Sequence, residues 1–206
     1  TSGCGCEVYV VLPPCEILRF TYNEDDKVYE GESDYCLVYR NGQFTLTDNK
    51  TGEPSYFRGF EPGEANPGRF IKKPAANGSR NSLEAFDPDD PSGSPYTAGG
   101  NLKGLRVVET VDSVEITYAY VFEYNADGNM TVATIKRKEG SGSWESLHRV
   151  LFTYYSGGTS SSSSSGGSSG DEYGSAEDMQ SATEQIYIDS QWTGDRVTYW
   201  RYYVDG

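Results

Sequence analysis

His148 is the only histidine, and so the only side chain whose ordinary pKa suits it to proton transfer near neutrality. A Ser-His-Asp relay needs that imidazole within reach of a serine on a strained elbow. Two-residue alternation sets His148 beside Val150 and Phe152, and no Gly-x-Ser-x-Gly elbow lies between a strand and a helix. His148 therefore reads as a strand residue. Paired carboxylates could hydrolyse a glycoside if they faced each other across a cleft. The adjacent acids Asp25-Asp26 and Asp89-Asp90 occupy turn-like contexts instead. The stretch Asp87-Pro88-Asp89-Asp90-Pro91-Ser92-Gly93 gathers oxygen ligands as a calcium loop does, but lacks the sixth-position glycine and closing glutamate of an EF-hand. It reads as a rigid acidic loop. No phosphate-cradling motif precedes a helix, so no catalytic residue, metal or cofactor is expected.

The four cysteines, Cys4, Cys6, Cys15 and Cys36, fall within the first 36 residues. An even count confined to one end points to two disulfides, of which three connectivities are possible. Zinc would ask for paired C-x₂₋₄-C ligands, whereas Cys4-Gly5-Cys6 is too tight and Cys15 and Cys36 stand apart. Free thiols are the other alternative. Cys4 and Cys6 can hardly bond each other without strain, so each would reach to Cys15 or Cys36.

Composition excludes some partners. With 17 Lys+Arg against 31 Asp+Glu and a net charge of −14, the chain's field repels nucleic acid and anionic lipid. The longest apolar run, Val8 to Leu12, is far too short for a membrane helix, so no membrane insertion is expected. The chain starts at Thr1 without an initiator methionine, which suggests a signal peptide already removed and a chain cut from a longer one.

The elements that would carry these residues are strands. In Val114–Tyr124 the side chains of Val114, Ile116, Tyr118, Tyr120, Phe122 and Tyr124 share one face at period two. Asn125-Ala126-Asp127-Gly128 turns the chain into Met130–Lys136, and Ser141-Gly142-Ser143 turns it again into Leu147–Tyr155. Further strands are expected at 7–12, 17–22, 35–40, 43–48, 56–60, 105–111, 184–189 and 196–204. Residues 176–185 have no wide apolar face and suit a strand entry or single turn, and 75–100 reads as a long surface loop. The fold class is thus all-β, an antiparallel meander or spiral with an N-terminal disulfide-stapled segment. Its expected parts are a cysteine segment at 1–36, a β-rich repeat region at 37–158, a Gly/Ser-rich linker at 159–175 and terminal strands at 176–206.

An internal repeat carries the most information. Phe122-Glu123-Tyr124-Asn125-Ala126-Asp127-Gly128, Phe152-Thr153-Tyr154-Tyr155-Ser156-Gly157-Gly158 and Trp200-Arg201-Tyr202-Tyr203-Val204-Asp205-Gly206 share an aromatic, a spacer, a tyrosine and a glycine-ended turn. Phe20-Thr21-Tyr22 opens a weaker fourth copy. The aromatic and the tyrosine lie on one face of a strand, and the turn hands the chain to the next. The Tyr-x-x-Asp-Gly element of Tyr124–Gly128 and Tyr202–Gly206 resembles the YD repeat of RHS-repeat proteins, over about Tyr35 to Gly206. That resemblance implies a secreted or surface-exposed protein built of spiralling strands, although such proteins are usually far longer.

Three N-glycosylation sequons begin at Asn49, Asn77 and Asn129, and Ser160–Ser165 could carry O-linked sugar. The expected function is a non-catalytic, extracellular or cell-surface structural protein. The alternatives are a carbohydrate-binding or adhesion module, with Trp144, Trp192 or Trp200 as stacking platforms, or a glycan-active enzyme. Strand edges would join copies head to tail into a filament, through an assembly edge of Val197, Tyr199, Trp200, Tyr202 and Tyr203 in which Arg201 is the one charge.

Overall fold

The computed structural model describes residues 7–12, 16–25, 28–31, 34–64, 66–74, 82–155 and 177–202. Among these the chain is all-β, with fourteen strands in one antiparallel meander whose spatial order is the order of the sequence. The strands are β1 Glu7–Leu12, β2 Glu16–Asn23, β3 Val28–Glu30, β4 Tyr35–Arg40, β5 Gln43–Asp48, β6 Pro54–Arg58, β7 Phe70–Lys73, β8 Ser82–Ala85, β9 Gly104–Val111, β10 Val114–Tyr124, β11 Met130–Glu139, β12 Glu145–Tyr154, β13 Met179–Ile188 and β14 Gln191–Tyr199. Two of these break the expected loop or turn. Ser82–Ala85 is a strand within 75–100, and β13 begins at Met179, so that 179–183 is already strand ahead of the strand expected at 184–189. Short strands such as β3 and β8 have too few residues to show a period of their own. The Ser-rich segment lies outside the described residues.

The chain divides into two compact units, Thr1–Phe86 with Leu105–Glu115, and Asp87–Gly104 with Ile116–Gly206. In the first, alternation builds a continuous apolar face. Val8 pairs with Phe20, Val10 with Leu18, Leu37 with Leu46 and Tyr39 with Phe44. Phe20 and Leu37 are completely buried, and the rings of Tyr29, Tyr39 and Phe60 close around Phe44 at centroid distances of 5.5, 4.7 and 5.4 Å. Gly31 is required here, because a Cβ on it would lie 2.8 Å from both the Arg19 carbonyl and the Phe20 ring.

The second unit is organised differently. On β10–β13 the buried side chains are small, namely Thr117, Ala119, Thr134, Ser181 and Ala182, while Phe122, Ile135, Leu151 and Phe152 are only half-buried. Both faces of this sheet are therefore partly open.

Cys36 is the one cysteine among the described residues, and it stands outside any disulfide there. It stands opposite Thr47 on β4 as a free, exposed thiol, because alternation with buried Leu37 turns it to the face away from the core. Cys4, Cys6 and Cys15 lie outside the described residues.

Tight turns join several strands. Asn41-Gly42, Asp112-Ser113 and Asp189-Ser190 all have both central φ angles positive, the geometry that matches the twist of two-residue hairpins. Ser113 and Ser190, at φ 66 and 64°, hold that conformation with a side chain that disfavours it. Ser113→Gly and Ser190→Gly should each raise stability by about 0.5–1 kcal/mol, the left-handed penalty less the entropy that glycine adds to the unfolded chain. Urea denaturation of the single variants checks this.

Candidate functional site

Two copies of the sequence repeat share one geometry. Phe122 pairs with Ala133 and Phe152 with Ala182, and one residue further along each strand the register slips, between Glu123 and Tyr124 and between Thr153 and Tyr154. In both, the extra residue lies on the partner strand, Thr131 of β11 and Gln180 of β13. Tyr124 donates its hydroxyl to the Leu102 carbonyl at 2.8 Å, and Tyr154 donates to the Met130 carbonyl at 2.7 Å. Burial raises the pKa of both phenols, keeping them protonated as donors. These latches tie each repeat to the element before it. The other two copies differ: in the weaker fourth copy Tyr22 packs on Tyr29 at 5.1 Å, and in the third copy Tyr202 stacks edge-on to Tyr155 at 6.4 Å.

The strand-borne candidates are engaged in sheet contacts. His148 pairs with Ile135 on one side and Ile186 on the other, consistent with a strand residue. Trp144 lies under Lys138 Nζ at 5.1 Å. Trp192 is covered on one face by the Arg149 guanidinium at 4.3 Å and meets Tyr187 edge-on at 4.9 Å. Arg149 in turn donates to Gln185, and Gln185 to Asp195, each at 2.6 Å, so one polar chain staples β12, β13 and β14. Neither tryptophan is a bare platform.

The acidic loop is a structural corner. Asp87, buried, accepts hydrogen bonds from Lys103 Nζ at 2.5 Å and from the backbone amide of Asp89 at 3.1 Å. Gly93 packs so close that a Cβ there would lie 2.8 Å from Asp87 Oδ2. A lysine thus fills the place of a cation, and no cluster of three or more metal-ligating side chains occurs among the described residues. Asp90 is held by Ser92, and Asp25 sits in a turn closed on Asn23. Of the sequon asparagines, Asn49 is exposed in the turn after β5, Asn129 is half-buried, and Asn77 lies outside the described residues.

The terminal edge needs correction. β14 starts five residues earlier than the expected 196–204 and ends at Tyr199. The Trp200 amide makes a last ladder bond to Gln180 at 3.0 Å, Trp200 and Tyr202 lie beyond the strand, and Tyr203 is outside the described residues. The strand also carries Asp195 and Arg196 beside a bulge at Gly194, φ 76°. Its middle is thus defended, and the undefended part shrinks to Val197–Tyr199.

Recesses among the described residues include the following pair. One, of about 610 Å³, lies at the repeat turn among Asn101, Phe122, Glu123, Asn125 and Asp127. The other, of about 490 Å³, is lined by Arg40, Gln43, Thr45, Arg58, Glu64 and Ile71.

No protein-family model matches the chain, and no solved structure matches it. Over 134 residues, 62% of this chain, it is 27% identical to the "Uncharacterized lipoprotein MG321 homolog" of Mycoplasma pneumoniae. The matched stretch spans 13% of that protein's length.

Two outcomes follow from this geometry. Tyr154→Phe should lower stability by about 1 kcal/mol, the net worth of one hydrogen bond, seen as a lower urea midpoint at unchanged slope. Lys103, and secondarily the Asp89 and Asp90 amides, hold the Asp87 carboxyl below its ordinary value against the opposing effect of burial. A carboxyl with a lowered folded pKa contributes stability that is present above its unfolded pKa, about 3.9, and lost as pH falls through the folded value. Asp87→Asn should therefore cost about 2 kcal/mol at pH 7, with the gap to the parent protein closing below about pH 4.

Proposed function

We propose that the chain is a non-catalytic, surface-associated structural module whose sheet is lengthened by strand pairing between copies. The observation that carries this is the character of the two outermost strands among the described residues. β1 and β14 each pair on one side only. Val8–Leu12 contains no charge, and Tyr9 and Val11 are 57% and 67% exposed. At the other end Val197 and Tyr199 are 42% and 72% exposed. Natural edges are blunted by charge, proline or a bulge, and these stretches have none of the three. Pairing β14 of one copy with β1 of the next is a heterologous contact, which propagates rather than closes. The lipoprotein designation of the Mycoplasma relative supports a surface location, and the Tyr-x-x-Asp-Gly resemblance to RHS-repeat proteins supports the same.

A carbohydrate-binding or adhesion role is favoured by a separate observation, the exposed aromatic group of Tyr199, Trp200 and Tyr202 at the end of β14. Electron microscopy and sedimentation of the purified chain distinguish the two. The strand-pairing role predicts filaments that lengthen with concentration. Val11→Lys and Tyr199→Lys should each abolish them while leaving the far-UV spectrum unchanged. A monodisperse 22.7 kDa species at every concentration tested would refute it.

A further inference from the structure

The recess on the core-distal face of β4–β7 stands out by its charge. In a chain of net charge −14 it brings together Arg40 and Arg58 against one acid, Glu64. The strand pairing explains why these side chains meet. Arg40 pairs with Gln43, and Gln43 with Arg58, so the three form one row across β4, β5 and β6, on the opposite side from Phe44. The floor is held rigidly. The Gly59 amide bonds the Gly42 carbonyl at 2.9 Å, and the Arg58 amide bonds the Arg69 carbonyl at 2.8 Å. Tyr39 donates to Glu61, which pushes its phenol up to about 12 and pins the loop after β6.

Within this frame the cationic groups are incompletely paired. Arg58 Nη1 meets Glu64 at 2.7 Å, but Arg58 Nε is buried without an acceptor among the described residues. Arg40 is exposed and makes no ion pair among the described residues. A buried N–H without a partner is destabilising, and such a group in a folded protein calls for an explanation. The Arg58 side chain as a whole is 30% exposed and lines the recess. Beside the two arginines the lining offers hydrogen-bonding groups, Gln43, Thr45 and Asn41, and one apolar wall, Ile71.

We propose that this recess binds a small hydroxylated carboxylate of the acidic-sugar class. The carboxylate would sit between Arg40 and Arg58 and give Nε its missing acceptor, because a guanidinium fork matches a planar carboxylate in a way that a lysine does not. The sugar hydroxyls would meet Gln43, Thr45 and Asn41, and a ring face would rest on Ile71. A volume near 490 Å³ accommodates one monosaccharide. The site lies wholly in the first unit, shares no residue with β1 or β14, and does not depend on strand pairing.

The test uses the whole 206-residue chain, ¹⁵N-labelled, titrated with sodium glucuronate, with glucose and with inorganic phosphate at constant ionic strength. Saturable amide shifts at Arg40–Gln43 and Arg58 are expected with glucuronate, at least tenfold tighter than with glucose or phosphate. Arg40→Gln, at an exposed position, should weaken glucuronate binding at least fivefold with an unchanged spectrum elsewhere. Arg58→Lys should do the same, since it keeps the charge and loses the fork. Absence of saturation, equal affinity for glucose, equal affinity for phosphate, or full binding by Arg40→Gln would each overturn the assignment.

Discussion

Backbone pairing between sequence neighbours is the interaction on which this molecule depends. With fourteen strands in sequential order, each ladder joins chain neighbours, and apart from the longer connections 86–103 and 155–178 most of the links are short, so the entropy of closing most of these hairpins is small. The same order limits what burial can contribute. In the first unit the apolar face of β1–β6 still assembles a core around Phe20, Leu37 and Phe44. On β10–β13 the buried positions hold alanine, serine and threonine, which remove too little apolar surface to hold a sheet by the hydrophobic effect alone.

That shortage explains the cross-strand side-chain bonds in the second unit. The Tyr124 and Tyr154 latches, the Arg149-Gln185-Asp195 chain and the cations over Trp144 and Trp192 each span strands rather than fill a core. Each is worth on the order of 1 kcal/mol, so their effect is collective. The recurrence of phenylalanine, spacer and tyrosine follows from this. Phenylalanine stands opposite an alanine on the partner strand, the register slips one residue later, and the tyrosine donates to a backbone carbonyl. The repeat in the sequence is a repeat of one fastening.

Much of the architecture is legible because alternation is strong where one face is buried, as in Glu7–Leu12; in Val114–Tyr124 alternation marks the strand but not its buried face, since the buried positions there are Thr117 and Ala119, opposite the apolar row. It was illegible where strands are three or four residues long, as in β3 and β8, because period two cannot show in so few positions. The hairpin at Asp189-Ser190 escaped notice because neither residue is glycine, and so the start of β14 was placed too late. Among candidate sites, the acidic loop was visible as a charge cluster, but the lysine that occupies it is 16 residues downstream of Asp87. Arg40 and Arg58 are 18 positions apart and become neighbours only through the register of three strands. A linear motif cannot carry such a site, and composition conceals it, since a net charge of −14 points away from anionic ligands.

The bulge in β14 connects edge chemistry to the inner strands. At Gly194 the backbone takes a positive φ, two residues of β14 face one of β13, and Asp195 is brought to Gln185. The feature that spoils the middle of the strand as a pairing template is therefore the one that completes the polar chain reaching back to Arg149. Beyond it, Val197–Tyr199 resumes regular pairing with Ser181–Thr183, with its other side unpaired among the described residues. A bulge fixes twist and register locally, so an incoming strand would meet a short, defined three-residue template rather than a long ladder open to slippage. Such a template selects its partner by side-chain fit at Val197 and Tyr199 more than by the number of backbone bonds, which are the same for any sequence.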